Sequence, residues 1–341
     1  MQIRLLLRIF ISTILVFNFV LNSNAQDLHY SQFYNSPQNV NPAMTGVFNG
    51  DHRFILSHRG QWRFVPVSWT TYSGSYDRNI TPYNSQKIFY GLGLNLNYDR
   101  QGDSKLNLLN VGINGALHGK LNERNILSLG LGLGFASRGF DTKSLRWDKQ
   151  WNGDIFDTGL PSQEAFQSTE RTSFFETGMG INYLYQKSSR TNLDLGIAAL
   201  HLIEPEVAFY GDKPTKLARR YTFSAVGNVE LTDKVDIQLH FLHQIQGEYD
   251  ETVLGGLGKL HLNQNRGKEL QLHFGLGYRT SGSFIPTVAL QYNEWYAGFN
   301  LDVDRTSYNK TLNTSRGAYE LHLRYIIKNV KPFRFKNCPI L

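Results

Sequence analysis

The sequence predicts an all-β transmembrane barrel of the outer-membrane kind, built from about fourteen antiparallel strands. Three observations predict it. Apolar residues alternate with small or polar ones from about residue 50 onward, and aromatic residues stand at the ends of the apolar faces. The chain also opens on an export signal, with no later apolar run long enough to cross a bilayer as a helix.

Taken in order, residues 1–25 carry Arg4 and Arg8, an apolar run from Ile9 to Leu21, and small residues Ser23 and Ala25 before Gln26. This is the order of a secretory signal peptide, with cleavage expected after Ala25. Residues 26–48 are polar and aromatic, and are expected to lie on the periplasmic side or to occupy part of the barrel lumen as a plug. The single cysteine, Cys338, allows no internal disulfide. The formal charge of +7 is spread over turns and tail with no basic stripe beside stacking aromatics, so nucleic acid is not an expected partner.

The barrel is expected over residues 49–326. From Tyr90 to Asp99, Tyr90, Leu92, Leu94, Leu96 and Tyr98 share one face, with Gly91, Gly93, Asn95, Asn97 and Asp99 on the other. Ile126–Ala136 repeats the pattern, with Leu127, Leu129, Leu131, Leu133 and Phe135 against Ser128, Gly130, Gly132, Gly134 and Ala136. Leu109–His118, Phe175–Tyr185, Leu193–Leu200, Tyr221–Leu231, Val235–Ile245, Leu270–Tyr278, Trp295–Asp304 and Tyr319–Tyr325 follow it. Arg53–Arg59, Ser68–Asp77, Thr252–Leu262 and Ser283–Tyr292 follow it less strictly, completing an even count.

A soluble sandwich would also alternate, so the second observation is needed. Tyr90, Tyr98, Tyr183, Tyr185, Tyr221, Tyr278, Tyr292, Trp295, Tyr319 and Tyr325 sit where membrane girdles place aromatics. The opposite faces are too rich in Gly, Asn, Ser and Gln for a dry core, and are expected to line a lumen. If the first strand runs outward, the inward turns are mostly short, whereas Gly139–Arg171, Ile203–Arg219 and Asp304–Ser315 become outer loops. That asymmetry is the one bacterial barrels show. Residues 327–341 form a basic tail with Lys328, Lys331, Arg334 and Lys336.

Catalytic and metal chemistry finds little support. Gly130, Gly132 and Gly134 are spaced by two with no helix following, which does not fit a phosphate loop. His240 and His243 fall on opposite strand faces and cannot chelate one metal. Asp302, Asp304 and Glu320 share the inner wall near the last hairpin, where Arg324, Arg305 or water would satisfy them. No cofactor is expected. The small inner faces around Gly132 leave volume that water, a plug or a client segment must fill, and Gln26–Gly46 is the expected occupant.

The stretch QDLHYSQFYNSPQNVNPAMTG, Gln26–Gly46, followed by RGQW at Arg59–Trp62, resembles the opening of the PorP/SprF family of outer-membrane proteins of the Bacteroidetes type IX secretion system. Leu301–Tyr325 resembles that family's terminal hairpin, and NCPIL at Asn337–Leu341 its Cys-Pro ending, with Ile340 where a basic residue is expected. Tyr30, Phe33, Tyr34, Asn41, Pro42, Arg59, Gln61, Trp62, Glu320 and Cys338 match the family pattern. Taken structurally, the same residues would close the barrel and pin its plug.

The resemblance implies a non-catalytic outer-membrane component that exports or anchors a type IX cargo protein such as a gliding adhesin. It also implies contact with the periplasmic machinery or a peptidoglycan-binding protein. Two other readings stand beside it: a channel for small solutes, and, last, an outer-membrane hydrolase using Asp302 or Glu320.

Overall fold

A strand in lipid must satisfy its backbone by pairing on both sides, and only closure of the sheet removes the last edges. The computed structural model meets this demand. It describes residues 27–62, 69–82, 87–141, 145–163, 169–209, 215–304 and 317–328. The expected signal peptide and its cleavage after Ala25, Gln26, Ser68, Arg305, much of the outer loops, and the tail beyond Lys328 with Cys338 lie outside the described residues.

The strands are β1 (His52–Gln61), β2 (Trp69–Ile80), β3 (Ile88–Gln101), β4 (Leu106–Lys120), β5 (Asn125–Asp141), β6 (Thr169–Gln186) and β7 (Asn192–Leu200). The second half comprises β8 (Arg220–Thr232), β9 (Val235–Gln246), β10 (Tyr249–Asn263), β11 (Leu270–Arg279), β12 (Ser283–Tyr292), β13 (Trp295–Asp304) and β14 (Ala318–Ile327). Each pairs antiparallel with its sequence neighbours, and β1 closes on β14 from His52↔Ile327 to Gln61↔Ala318. The expected fourteen-stranded barrel is the observed one.

Alternation sets which face meets lipid. On β5, Leu131 and Leu133 are 65% and 67% exposed, whereas Ser128 is fully buried. Every inward position from Ser128 to Ala136 is small, so this wall stays open to whatever fills the lumen. The aromatic girdle is present at both ends: Tyr90, Tyr292 and Trp295 near the short turns, Tyr221 and Tyr278 near the long loops, all exposed. Trp295 stacks on Tyr325 with ring centroids 4.3 Å apart. No helix among the described residues is long and apolar enough to cross a membrane.

Strands β5 and β6 outrun the expectation most. β5 has 17 residues and β6 has 18, against the 11 that alternation marks in each. The apolar pattern stops where the outward face leaves the hydrocarbon, yet the ladder from Ser137↔Ser173 to Asp141↔Thr169 continues, because backbone pairing needs no apolar side chain. The connections divide as expected, with the described loop residues 145–163, 203–209 and 215–219 at one end and turns such as Asp233–Lys234 and Asn293–Glu294 at the other.

Leu131 stands midway along the outward face of β5. Leu131→Arg is expected to cost about 2–4 kcal/mol in reversible unfolding from lipid vesicles. A loss below about 1 kcal/mol would mean that this face does not meet hydrocarbon.

Candidate functional site in the barrel lumen

The lumen holds the chain's own N-terminal segment. It begins at Asp27 near the long-loop end, against β8 and β9, and reaches the short-turn end at Gly46, beside Asp77 of β2. Prolines shape it locally. Pro37 opens the single turn Pro37–Val40, and Pro42 opens the 3-10 turn Pro42–Met44, both at positions where a missing N–H costs nothing. Asn41 caps the second turn by accepting the Ala43 N–H at 2.8 Å, and its amide donates to the Ile181 carbonyl at 3.0 Å.

Three sets of charges hold the segment. In the first, Arg59 of β1 lies between Asp302 of β13, at 2.9 Å, and Glu320 of β14, its direct cross-strand partner. Glu320 accepts the backbone N–H of Ser31 at 2.8 Å and of Gln32 at 3.1 Å. The Ser31 hydroxyl donates to Asp302 at 2.8 Å, and Arg279 links Asp302 to Glu251. These charged side chains are 0–5% exposed, a depth at which a lone charge would be untenable.

The second set ties down Asp27, which meets Arg220 and His201 at 2.8 Å each. Burial alone would raise the Asp27 carboxyl. The guanidinium of Arg220 and the ring of His201 nevertheless hold it well below the usual carboxylate range. Arg220 also donates to the Asn39 carbonyl at 2.7 Å. In the third set Asp77, paired with Arg53 at 2.7 Å, accepts the Gly46 N–H at 2.7 Å, and His118 meets the Thr45 carbonyl at 2.9 Å.

Close approach explains the small inner faces. A Cβ built on Gly130 would lie 2.2 Å from the Ala43 nitrogen, and one on Gly91 would lie 1.9 Å from the Thr45 carbonyl oxygen. Only glycine admits the segment's backbone there. The cavities left between segment and wall are small, about 70 Å³ each, one bounded by Gln38, Asn39 and β4–β7, the other by Leu28, Thr71 and Phe174. A larger vestibule of about 670 Å³ opens above His29 at the long-loop end, rimmed by Trp62 and Trp69.

The residues singled out in the sequence divide as follows. Tyr30, Phe33, Tyr34, Asn41, Pro42, Arg59 and Glu320 converge in the lumen. Tyr30 donates to Ser73 at 2.8 Å, and Phe33 and Tyr34 lie 5.9 and 5.1 Å from the His240 ring. Gln61 and Trp62 stand at the vestibule, where the Trp62 ring packs at a tilt against Trp69 with centroids 4.4 Å apart. His240 faces inward and His243 outward, the latter against Thr252. Among the described residues no group of three metal-ligating side chains occurs.

One expectation is corrected. The carboxylates Asp302 and Glu320 are not satisfied by Arg324, which lies over the Tyr296 ring at 4.6 Å, but by Arg59 and Arg279. The reason is barrel closure, which lays β1 beside β14 and puts Arg59 opposite Glu320. Asp304 accepts a hydrogen bond from the Ser283 hydroxyl. Sequence reading missed Ser31, Gln32, Asp27, Glu251 and Arg279. The signal for the last two was their inward parity on β10 and β11, two strands otherwise lined by small and neutral side chains at that end.

Fold and lumen together define a membrane-spanning barrel filled by its own N-terminal segment. The family profile described as type IX secretion system membrane protein PorP/SprF matches residues 22–325, and the chain belongs to that family. No curated protein matches the chain. Among solved structures, the Pseudomonas putida toluene transporter TodX is similar at 10% identity, over 88% of this chain and 94% of that one, with a TM-score of 0.50. A Pseudomonas aeruginosa FadL homologue matches at 10% identity over 84% and 92%, with a TM-score of 0.49. The TodX likeness is one of fold alone.

Glu320→Ala leaves Arg59 half-paired and two segment N–H groups without acceptors. It is expected to lower stability by about 3–5 kcal/mol in urea unfolding. Asp27 gives a pH signature. With its folded value depressed, its contribution is complete above the unfolded carboxyl range near about 4 and is lost as pH falls through the folded value. Asp27→Asn should therefore flatten the stability loss below about pH 4, read as the urea midpoint against pH.

Proposed function

We infer that this chain is a non-catalytic outer-membrane component of type IX secretion that exports or anchors a cargo protein, such as a gliding adhesin. The observation that carries this reading is the occupied lumen, joined to membership of the family. A segment held by an ion pair at Asp27 and by hydrogen bonds to paired wall carboxylates at Ser31, Gln32 and Gly46 suits a plug, and a plugged barrel suits a rigid scaffold better than a pore. The loops Gly139–Arg171 and Ile203–Arg219 are the proposed cargo contact, because exposed loops on a rigid frame commonly carry recognition. The short-turn end, facing the periplasm in this orientation, is the proposed contact for the type IX machinery or a peptidoglycan-binding protein.

The competing reading is a solute channel. TodX is described as a toluene transporter, and a channel here would require the N-terminal segment to move aside. Single-channel recording separates the two: a silent full-length barrel supports the plugged scaffold, and a stable open level favours the channel. Deleting the gene in its host and quantifying surface and medium proteins tests the role itself. Loss of one or a few large cargo proteins indicates a dedicated partner, loss of all type IX cargo a core component, and an unchanged surface sinks the export reading.

A further inference from the structure

In the half of the lumen nearer the long loops the buried cations meet carboxylates, with Arg59 and Arg279 each bracketed by two of them. The half nearer the short turns leaves charges unpaired: Asp194 of β7, whose Oδ1 is buried without a partner among the described residues, and two cations. Lys259 of β10 points inward and donates to the Asn228 side-chain Oδ1 at 2.6 Å, and no carboxylate among the described residues forms an ion pair with it. Arg324 of β14 also points inward; its contact is the Tyr296 ring, with no hydrogen bond or ion pair among the described residues. The two cations act on each other electrostatically across this space. Asp236, the carboxylate nearest Lys259 on the neighbouring strand, is already taken by Arg190 at 2.6 Å and His261 at 2.8 Å.

Neutral groups around them show the same deficit. The Gln238 Nε2 amide and His240 Nδ1 are buried without a partner among the described residues. The Tyr34 hydroxyl, in electrostatic reach of Arg324 and Tyr296, likewise makes no hydrogen bond to a described residue. Gln238 lies between the two ends of the Lys259–Asn228 bridge, since Asn228 is its cross-strand partner on β8 and Lys259 sits diagonally on β10. Buried donors without acceptors cost free energy that an oxygen-rich ligand would recover. A second, independent feature lies outside the lumen. The turns at this mouth expose Lys87, Arg124, Lys187, Lys234, Arg266 and Lys268, offset in part by Glu123, Asp233, Glu269 and Glu294. Such a rim draws anions toward the opening.

We propose that the short-turn half of the lumen is a binding site for an oxyanion, a carboxylate or phosphate group, held by Lys259 and Arg324 with Gln238 and Tyr34 as neutral donors. The site lies beneath the roof formed by Tyr34 and His240, so its ligand enters from the short-turn mouth. This goes beyond the role in secretion and stands without it. A carboxylate would come from an acidic peptide or a small organic acid, a phosphate from the free ion or a phosphoryl group.

The test uses the full-length barrel in detergent micelles, titrated calorimetrically with inorganic phosphate and, separately, with glutarate, at ionic strength matched with sodium chloride. Saturable binding of either probe is expected, and which one binds identifies the source chemistry. Lys259→Met and Arg324→Met should each weaken it at least tenfold. Neither removes the partner of a carboxylate, so both should fold, with unchanged or higher urea midpoints in probe-free buffer. Tyr34→Phe, which deletes one hydroxyl, should weaken binding about threefold. Absence of saturable heat with both probes in the wild-type barrel, or wild-type affinity in both methionine variants, overturns the proposal.

Discussion

The buried junction of Arg59, Glu320 and Asp302 is the interaction on which the rest of the lumen depends. It joins β1, β13 and β14 at the point where the barrel closes, and the same carboxylates receive the backbone of Ser31 and Gln32. Closure and filling are thus one event in charge terms. Three carboxylates, Asp302, Glu320 and Glu251, gather within a low-dielectric interior, tolerable because Arg59 and Arg279 are threaded between them. A barrel without a dry core needs such an arrangement, since every inward polar group must find a partner that water supplies elsewhere.

Much of the fold was legible because lipid imposes a pattern. The outward leucines of β3 and β5 had to recur at every second position, and the girdle tyrosines had to end those runs. Where the constraint stops, legibility stops: residues 169–174 of β6 extend the ladder without any outward apolar signal. The lumen was readable in outline. Glycine at inner positions such as 130 and 132 announced volume for a backbone, and the segment from residue 27 to 46 fills it. The pairings were not readable, because Arg59 and Glu320 lie 261 positions apart. Their contact follows from the closing register, which a strand pattern alone does not number. Arg324 was the tempting partner for Asp302 because it lies on the adjacent strand, but it sits six residues along β14 from Ala318, the residue opposite Asp302, and too far toward the short turns.

Polar interiors of this kind specify more than they stabilise. Replacing a buried ion pair with apolar residues is often neutral, but charges fix which strands meet and in which register. Here the apolar cluster of Phe33, Val40, Leu242, Val253 and Ile285 supplies adhesion between segment and wall without choosing an orientation. Direction comes from the polar ends, with Asp27 matched to Arg220 and His201 at one mouth and Gly46 matched to Asp77 at the other. Reversing the segment would set Asp27 beside Asp77, so the charges select against that packing as well as for the observed one.

The covalent path makes the segment part of the frame. Only five residues separate Gly46 from the start of β1 at His52, so one end of the segment cannot leave without disturbing the strand that closes the barrel. The other end is held by non-covalent contacts, the Asp27 carboxylate with Arg220 and the backbone N–H groups of Ser31 and Gln32 with Glu320. Motion of the segment, where it occurs, must therefore begin at the long-loop mouth and meet the Arg59 junction before it reaches the glycine wall of β5. Among the described residues the long loops carry none of these ties, apart from His201 at the start of one of them. Val207 and Leu217 of the loop after β7 do pack against the inward-facing Ala136 and Phe174, so the freedom to vary without altering the lumen lies farther out along the loops.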